Sequence, residues 1–324
     1  MHIQLNKHKI NSLVRRLPDF KYGMVWEDPV SGHRIACLDA SKKEDVDILM
    51  NGNKAALAIQ DPPYNVEINK EFGKGSVDEY IGWSSRWVDN TIDALDNNAS
   101  LYIWLGADIR EGFQPLPDFM LMMRQKPVRT RNFITMRNQR GYGTQKNWMA
   151  IRQELLYYTK GEAVFNIQAE YTDIPKKTKG FYKEVGGELT ENFERSKSPN
   201  IRAGNVWYDI QQVFFLMHEN VEGCFAQKPL KSAERIIGAS SKPGDVVIDF
   251  FSHSGSTLLQ AELSKRKVYT MDIDPLYCKL TVARLLHFRR TGELGWGRSK
   301  IIHDGKLLLS NEELLGAPSL FDKI

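Results

Sequence analysis

The chain has 324 residues, of which 42% are hydrophobic and 26% are charged, with a formal net charge of +4. It is therefore long enough for one large folded domain with a smaller addition, and its composition excludes a chain that is disordered throughout. Three distant cysteines, no signal-peptide core and no run of about 18 apolar residues lead us to expect a cytoplasmic protein with no metal, disulfide framework or membrane partner.

Short apolar runs that end in polar or glycine-rich segments predict buried strands, and several of the segments between them have helical periodicity. In chain order we predict strands at 55–60, 100–105, 131–136, 154–158, 245–250 and 267–271, and helices at 76–95, 231–239, 256–263 and 276–290. This alternation predicts an α/β fold with a Rossmann-like, doubly wound and mostly parallel sheet that is covered on both faces.

The stretch 162–205 interrupts that alternation. It is rich in lysine, asparagine, serine, glycine and aromatic residues and has no clear period. A stretch of this length inside a compact domain is typical of a functional loop or a small inserted module, and a disordered excursion is the alternative.

The tetrapeptide Asp61-Pro62-Pro63-Tyr64 directly follows the first predicted strand. Ligands in open α/β sheets bind beyond the carboxyl ends of strands, although an ordinary turn is the alternative. An exocyclic amine on a base is a poor nucleophile, because its lone pair is delocalised into the ring. The Asp61 carboxylate and the Pro62 carbonyl can each accept one N–H, which favours a pyramidal nitrogen aimed at a methyl donor. Tyr64 offers a face on which an extruded base can stack.

A second motif lies at 246–257, where a strand enters a turn of small residues and a helix follows. Backbone N–H groups at such a turn and at the helix N-terminus suit an anionic group. Asp272 ends the next predicted strand, and a carboxylate about 20 residues further on suits ribose hydroxyls. Taken alone, this pattern is also compatible with a purely structural turn.

Together the two motifs resemble the DNA amino-methyltransferases, which use S-adenosylmethionine to methylate adenine N6 or cytosine N4, and the resemblance covers most of the chain. It implies a catalytic motif at Asp61, Pro62, Pro63 and Tyr64. It implies cofactor contacts at Asp39, Asp61, Lys228, Asp249, Phe250, Phe251, Ser252, His253, Ser254, Gly255, Ser256, Thr257 and Asp272.

The order of the motifs narrows this resemblance to one subgroup. The catalytic motif precedes the cofactor motif by 188 residues, as in the permuted β subgroup, whose target-recognition region lies between them. We therefore expect a methyltransferase domain at 1–161 and 206–324 with a target-recognition insert at 162–205. Since dimers are common in this subgroup, a homodimer is a further expectation.

The stretch 124–160 carries nine lysines and arginines against the single acid Glu154, which is typical of a phosphate-binding surface, with a solvated basic face as the alternative. We expect double-stranded DNA as the partner. The predicted DNA-binding residues are Arg129, Arg131, Arg137, Arg140, Lys146, Lys176, Lys177 and Lys179. Tyr171, Phe181, Tyr182 and Phe193 add groups that can stack or wedge.

The cofactor motif departs from the family at one position. His253 stands where the family usually has its first glycine, and a side chain there disfavours a positive φ. The resemblance therefore implies that the turn differs locally or that His253 faces the cofactor.

The expected activity is methylation of adenine N6 in DNA on a flipped-out base, because an initial aspartate in the catalytic tetrapeptide tilts this family toward adenine. The alternatives are a cytosine-N4 DNA methyltransferase, an RNA methyltransferase and a non-catalytic DNA-binding module. Methylation at cytosine C5 is disfavoured, because that reaction needs a thiolate nucleophile and no cysteine here follows a proline.

The tryptophans divide into two groups. Trp83, Trp87 and Trp104 are expected in the core, whereas Trp148 and Trp207 are expected either in the core or at the wall of the base pocket.

Overall fold

The computed structural model describes residues 19–64, 76–106, 114–144, 147–166, 171–176, 181–192, 198–213, 217–221, 224, 226–296, 302–303 and 306–307. Six helices lie in these ranges: α1 (Lys43–Met50), α2 (Val77–Ala94), α3 (Leu116–Met123), α4 (Leu230–Ser240), α5 (Ser256–Leu263) and α6 (Pro275–Thr291). The strands are β1 (Val25–Glu27), β2 (Arg34–Cys37), β3 (Ala55–Gln60), β4 (Leu95–Leu105), β5 (Arg129–Thr144), β6 (Asn147–Lys160), β7 (Tyr171–Pro175), β8 (Phe181–Val185), β9 (Glu188–Asn192), β10 (Asn200–Arg202), β11 (Val206–Trp207), β12 (Val246–Asp249), β13 (Lys267–Asp272), β14 (Ile302–His303) and β15 (Lys306–Leu307).

One nine-stranded sheet organises the described part of the chain, in the order β1-β2-β13-β12-β3-β4-β6-β5-β11. The strands β2, β13, β12, β3 and β4 are mutually parallel neighbours, so their carboxyl ends share one edge of the sheet. The expectation of a Rossmann-like, mostly parallel sheet is confirmed, and each strand and helix predicted from the sequence is present. The predicted limits of three strands were too short: β4 begins five residues before 100, β5 ends eight residues after 136, and β6 begins seven residues before 154.

The sheet changes direction after β4. Strand β6 pairs antiparallel with both β4 and β5. Its direction relative to β5 follows from the short connection, because only residues 145 and 146 separate the two strands and a parallel crossover needs a dozen or more. Glu154 of β6 lies opposite Leu105, the last residue of β4. Residues 147–153 and their partners on β5 therefore project past the carboxyl end of β4 as a two-stranded ribbon, roughly 20 Å long at 3.3 Å per residue. We call residues 137–144 and 147–153 the ribbon.

Helices cover both faces of the sheet. On one face, Ile236 of α4, Leu258 of α5 and Leu285 of α6 belong to a single buried cluster. On the other, Leu49 of α1, Trp87 of α2 and Phe119 of α3 form a second. Burying a large aliphatic or aromatic side chain contributes about 1.5–3 kcal/mol, so these two layers supply most of the favourable free energy of the sheet domain. Trp87 and Trp104 are buried as the sequence predicts, and Trp83 is half-buried against Phe251.

A polar network attaches the β1–β2 hairpin to the helices. Arg289 of α6 donates to both oxygens of buried Asp28 at 2.8 Å and to Glu262 of α5 at 2.6 Å. His33 contacts Glu262 at 2.9 Å, and its Nδ1 accepts the Val268 N–H at 2.9 Å. The hydrogen bond from His33 holds the pKa of Glu262 well below its usual value against the effect of burial, with further help from Arg289 and Ser31. The β1–β2 hairpin is thus attached at the amino ends of β2 and β13, so the carboxyl edge of the sheet stays open.

The described parts of 162–205 form two small ladders outside the large sheet. Strand β7 pairs with β10, and β8 pairs with β9 around Gly186 and Gly187. Lys231 of α4 binds Asp173 of β7, which ties the first ladder to the main domain. The limits 162 and 205 of the recognition insert stay a prediction. None of the helices within the described ranges is both long and apolar enough to cross a membrane.

Candidate active site

Four carboxylates lie at or just beyond the carboxyl ends of neighbouring parallel strands. Asp61 follows β3, Asp249 ends β12, Asp272 ends β13, and Asp39 lies two residues beyond β2. The register aligns Val247 of β12 with Leu57 of β3 and Asp272 of β13 with Cys37 of β2. The shared edge thus brings together aspartates that are distant in the sequence, as ligand sites in such sheets require.

The Asp61 carboxylate is held by a lysine and a tyrosine. Lys228 Nζ donates to its Oδ1 at 2.9 Å and to its Oδ2 at 2.8 Å, and the Tyr64 hydroxyl donates to Oδ1 at 2.6 Å. Lys228 also donates to the Tyr64 hydroxyl at 3.1 Å. Burial, followed by the nearby Asp61 charge, raises the pKa of Tyr64 well above its usual value, so Tyr64 is a neutral donor. Within the tetrapeptide Pro62 is buried, and Pro63 and Tyr64 are half-buried.

The loop 250–255 connects β12 to α5 and is shaped by two positive φ angles. Gly255 has φ +72°, and a side chain there would meet Thr281 of α6 at 3.2 Å. His253 has φ +42°, which a side chain disfavours. Its N–H donates to Asp272 Oδ2 at 3.1 Å, so a hydrogen bond to the neighbouring strand end holds the strained turn. The turn therefore keeps a glycine-like conformation despite the histidine.

A pocket opens between this loop, Asp61 and helix α4. It is lined by Ile59, Asp61, Trp104, Lys228, Ser232, Ala233, Ile236, Asp249, Phe251, Ser252, His253, Ser254, Ser256 and Thr257. The Asp61 carboxylate and most of the predicted cofactor residues thus share one cavity, although 188 residues separate Asp61 from Asp249.

Some predicted cofactor residues lie outside the wall of this pocket. Phe250 is buried in the core on the opposite face, where its N–H donates to Gln60 Oε1 at 2.9 Å. Asp39 Oδ1 accepts from the Ser41 N–H and hydroxyl at 2.9 and 2.7 Å. Asp272 accepts from the backbone of the loop, and Gly255 shapes the turn. These residues position the strand ends and the loop.

Desolvation alters the titration of the groups around the loop. Burial raises the pKa of Asp249 to about 6 and that of Asp272 to about 7, although backbone N–H groups partly offset the effect. Burial lowers the pKa of His253 to about 4, so this side chain is neutral near pH 7. Hydrogen bonds donated by a ligand would therefore stabilise the ionised forms of Asp249 and Asp272.

Two functional contributions were not foreseen from the sequence. Arg284 of α6 has no exposed surface and donates to the carbonyl oxygens of Ser254, Glu219 and Leu294 at 2.8, 3.0 and 2.9 Å. Arg284 therefore holds the loop from the side opposite the pocket. Because it lies 30 residues from Ser254, no local sequence pattern indicates this contact. Trp104, expected in the core, is buried and also forms part of the pocket wall. Trp207 packs edge-on against Trp104 and lies behind that wall.

The predicted DNA-binding residues divide by what the structure describes. Arg129, Arg131 and Arg137 are exposed on β5, and Arg129 lies 3.8 Å from Glu162. Lys176 is half-buried, and its backbone N–H donates to Pro199. The Arg140 side chain and all of Lys146, Lys177, Lys179 and Phe193 lie outside the described residues, as do the side chains of Phe181 and Tyr182.

The residues of the pocket fit S-adenosylmethionine by their chemistry. The N-terminus of α5 offers backbone N–H groups to a carboxylate, Asp249 offers an acceptor to amine and hydroxyl donors, and Phe251 and Trp104 supply apolar walls. Asp272 lies just behind the pocket wall, at the end of the neighbouring strand. A tightly positioned loop beside two desolvated carboxylic acids is an arrangement that a polar ligand would complete.

Comparisons with known proteins agree with this geometry. A family profile described as DNA methylase matches residues 55–283. The chain is 30% identical over 217 residues to the Type II methyltransferase M.BamHI of Bacillus amyloliquefaciens; the match covers 64% of this chain and 47% of that protein, so the chain spans about half the length of M.BamHI. It is 25% identical over 269 residues to the DNA adenine methyltransferase YhdJ of Escherichia coli (strain K12), covering 82% of this chain and 84% of YhdJ.

The structure itself resembles the PvuII DNA methyltransferase (cytosine-N4-specific), with a TM-score of 0.58 at 15% identity over 80% of this chain and 89% of that one. This likeness confirms the class I methyltransferase fold. Because the family profile covers more than half of its residues, the chain belongs to the DNA methylase family, the amino-methyltransferases that its motifs resemble.

Proposed function

We propose that this protein transfers a methyl group from S-adenosylmethionine to N6 of an adenine that is flipped out of double-stranded DNA. The observation that carries the proposal is that Asp61 and residues 251–254 of the loop line one pocket at the carboxyl edge of the sheet. The acceptor for the target amine therefore lies next to the loop that would bind the methyl donor.

The chemistry of the amine explains the need for the tetrapeptide. S-adenosylmethionine, when bound, supplies an electrophilic methyl group whose bond to sulfur breaks as the new bond to nitrogen forms. Asp61 and the Pro62 carbonyl accept the two N–H groups of the target amine, which localises the lone pair toward the methyl group. After transfer the nitrogen is cationic and acidic, so the adjacent Asp61 carboxylate takes its proton without having to be a strong base.

The cofactor contacts follow from the same pocket. The N–H groups of Ser254, Ser256 and Thr257 and the Lys228 ammonium suit the carboxylate of the methionine moiety, and Asp272 suits the ribose hydroxyls. From the resemblance to the family, we assign Asp39 as the acceptor for the adenine amine of the cofactor and residues 249–257 as its remaining contacts. His253 lies in the pocket wall, which favours the second of the two interpretations of this departure from the family: that it faces the cofactor.

The ribbon supports double-stranded DNA as the substrate. Arg137 and Arg152 are direct cross-strand partners, and both are exposed. Like charges directly opposite each other destabilise a strand pair; Arg152 is partly balanced by Glu154 at 3.5 Å, and a bound polyanion would balance both arginines. Trp148, on the same ribbon, is 93% exposed. Because the ribbon projects past the carboxyl end of β4, this cationic surface lies on the edge of the sheet that carries Asp61.

The choice of adenine rests on the initial aspartate of the tetrapeptide and on the similarity to YhdJ, a DNA adenine methyltransferase. Cytosine N4 is the second candidate, since both amines need the same two acceptors and PvuII methyltransferase has the same fold. The homodimer stays a prediction from the sequence.

Replacing Asp61 with alanine should lower methyl transfer by about 10²-fold or more, because the amine loses one of its acceptors, while the affinity for S-adenosylhomocysteine does not fall. The assay uses labelled S-adenosylmethionine and mixed-sequence duplex DNA, with the methylated nucleoside identified by mass. Asp93→Ala, which removes an exposed carboxylate on α2, is the matched control and should be fully active.

N6-methyladenine from the wild type is the expected product. N4-methylcytosine would retain the mechanism and overturn the base assignment, and a product on RNA alone would overturn the DNA assignment. Full activity in Asp61→Ala would contradict the proposed site.

The Arg137→Ala/Arg152→Ala double variant should bind duplex DNA more weakly, because two phosphate contacts are lost. The dependence of log affinity on log salt should flatten by about 2, and the KM for DNA should rise while kcat at saturating DNA is retained. A titration of labelled duplex at several salt concentrations measures this slope. Lys242→Ala/Lys267→Ala removes two exposed cations near the amino ends of β12 and β13 and should leave the slope unchanged; equal effects in the two double variants would remove the ribbon from the DNA interface.

The affinity for S-adenosylhomocysteine should rise about tenfold between pH 6 and pH 8. Without ligand the pKa of Asp272 is about 7, and ribose hydroxyls bind the ionised carboxylate, so affinity is lost as the pH falls through 7. Calorimetric titration measures this dependence. Asp272→Asn should bind more weakly and lose the pH dependence above pH 7, and a flat profile in the wild type would exclude the role of Asp272.

A further inference from the structure

We propose that Lys228 is a positioning residue that exchanges partners: it is paired with Asp61 when the pocket lacks cofactor and moves to the cofactor carboxylate on binding, which releases Asp61 for the target amine. This inference rests on the proposed function and adds an order of events to it. Cofactor binding activates the catalytic carboxylate, and the base can be engaged productively only afterwards.

The geometry commits Lys228 fully to the catalytic tetrapeptide. Its ammonium has three N–H donors, and its contacts are the two Asp61 oxygens at 2.9 and 2.8 Å and the Tyr64 hydroxyl at 3.1 Å. The Lys228 side chain is 11% exposed and that of Asp61 is 24% exposed, so the pair is only partly screened by water. Asp61 Oδ1 also accepts the Tyr64 hydroxyl. The carboxylate is thus largely occupied before any substrate enters.

That pairing opposes the proposed reaction in two ways. The ammonium withdraws electron density from the oxygens that must accept the N–H groups of the amine. It also places a positive charge next to a nitrogen that becomes cationic as the methyl group arrives, and like charges at about 5 Å repel by several kcal/mol at an effective dielectric constant near 20. A site that stabilises the transition state must therefore move this ammonium away from Asp61.

The same pocket contains the place to which the ammonium can move. Of the described residues that line it, Lys228 is the only lysine or arginine. The Lys228 carbonyl accepts the Ser256 hydroxyl at 3.0 Å, so the lysine backbone is fixed to the first residue of α5. The N–H groups at the start of α5 suit an anion, and the carboxylate is the only anionic group of S-adenosylmethionine. A rotation of the side chain about a fixed backbone is enough to exchange one carboxylate for the other.

Neither of the neighbouring basic residues is suited to bind the ligand carboxylate in place of Lys228. Arg284 lies behind the loop with its N–H groups committed to three carbonyl oxygens. His253 is neutral near pH 7, since burial lowers its pKa to about 4. The rings of Tyr64 and Trp104 lie 5.2 and 5.3 Å from the ammonium, so cation–π contacts stabilise it within the pocket while it changes partners.

Binding of S-adenosylhomocysteine, measured by calorimetry without DNA, tests the exchange independently of activity. In the wild type the ligand must break the Asp61–Lys228 pair, whereas Asp61→Asn removes that cost. The variant should therefore bind S-adenosylhomocysteine roughly fivefold more tightly, the factor that corresponds to one partly exposed ion pair. The decarboxylated analogue of the ligand cannot recruit Lys228, and its affinity should be the same in both proteins.

A double-variant cycle separates exchange from simple repulsion between Asp61 and the ligand carboxylate. Lys228→Met should lower the affinity for S-adenosylhomocysteine toward that for the decarboxylated analogue, and adding Asp61→Asn in that background should produce no tightening. Tightening that persists without Lys228 would show direct repulsion and overturn the exchange. Lys279→Met removes another buried lysine, which pairs with Asp19 at 2.9 Å outside the pocket, and should leave both affinities unchanged.

The outcomes also separate this inference from the proposed function. If the wild type methylates DNA but Asp61→Asn binds S-adenosylhomocysteine no more tightly than the wild type, Lys228 does not exchange partners and the enzyme assignment stands. If the wild type binds no S-adenosylhomocysteine, the proposed function itself is wrong.

Discussion

Parallel pairing of β2, β13, β12 and β3 is the constraint on which the rest of the molecule depends. It places the carboxyl ends of the four strands at one edge, so Asp61 and Asp249 meet although 188 residues separate them. The helical layers bury both faces of the sheet. The ion pair between Asp28 and Arg289 attaches the β1–β2 hairpin to α6. Within the described residues, polar side chains collect at this edge, where backbone N–H groups and carboxylates can hold a ligand.

Bringing these aspartates together at one edge is electrostatically unfavourable. Asp249 and Asp272 lose solvation, and their pKa values rise to about 6 and 7, while Asp61 keeps a lysine within hydrogen-bond distance. The strained φ of His253 adds a cost that the buried Arg284 and the hydrogen bond to Asp272 offset. Sites that store unfavourable energy in this way are typically completed by their ligand. Cofactor binding, the release of Asp61 and the order of substrate binding are therefore aspects of one electrostatic balance.

The parts of the structure that follow from local pattern were predictable. The strand β3 and the helix α5 have the limits that periodicity predicts, 55–60 and 256–263, because apolar runs and small-residue turns mark them directly. The sheet edge could also be inferred, since ligand sites in α/β sheets lie beyond the carboxyl ends of strands. The sequence alone therefore predicts that both motifs lie in one site.

Long-range contacts were not predictable in the same way. The resemblance implied that Lys228 faces the cofactor, but nothing local indicates that it pairs with Asp61, 167 residues away. Arg284 looks like any cation on an amphipathic helix, and its role depends on the loop that it meets. The sequence predicted that a histidine at 253 would alter the turn or face the pocket; tertiary contacts preserve the positive φ and leave the side chain in the pocket wall.

The central claim is that the cofactor carboxylate takes Lys228 away from Asp61. A crystal structure of the wild-type protein with S-adenosylhomocysteine tests it most directly, through the distances from Lys228 Nζ to Asp61 and to the ligand carboxylate. The account predicts that the ammonium binds the ligand carboxylate and lies beyond hydrogen-bond reach of both Asp61 oxygens. A ligand seated in the pocket with the Asp61–Lys228 pair unchanged would contradict it.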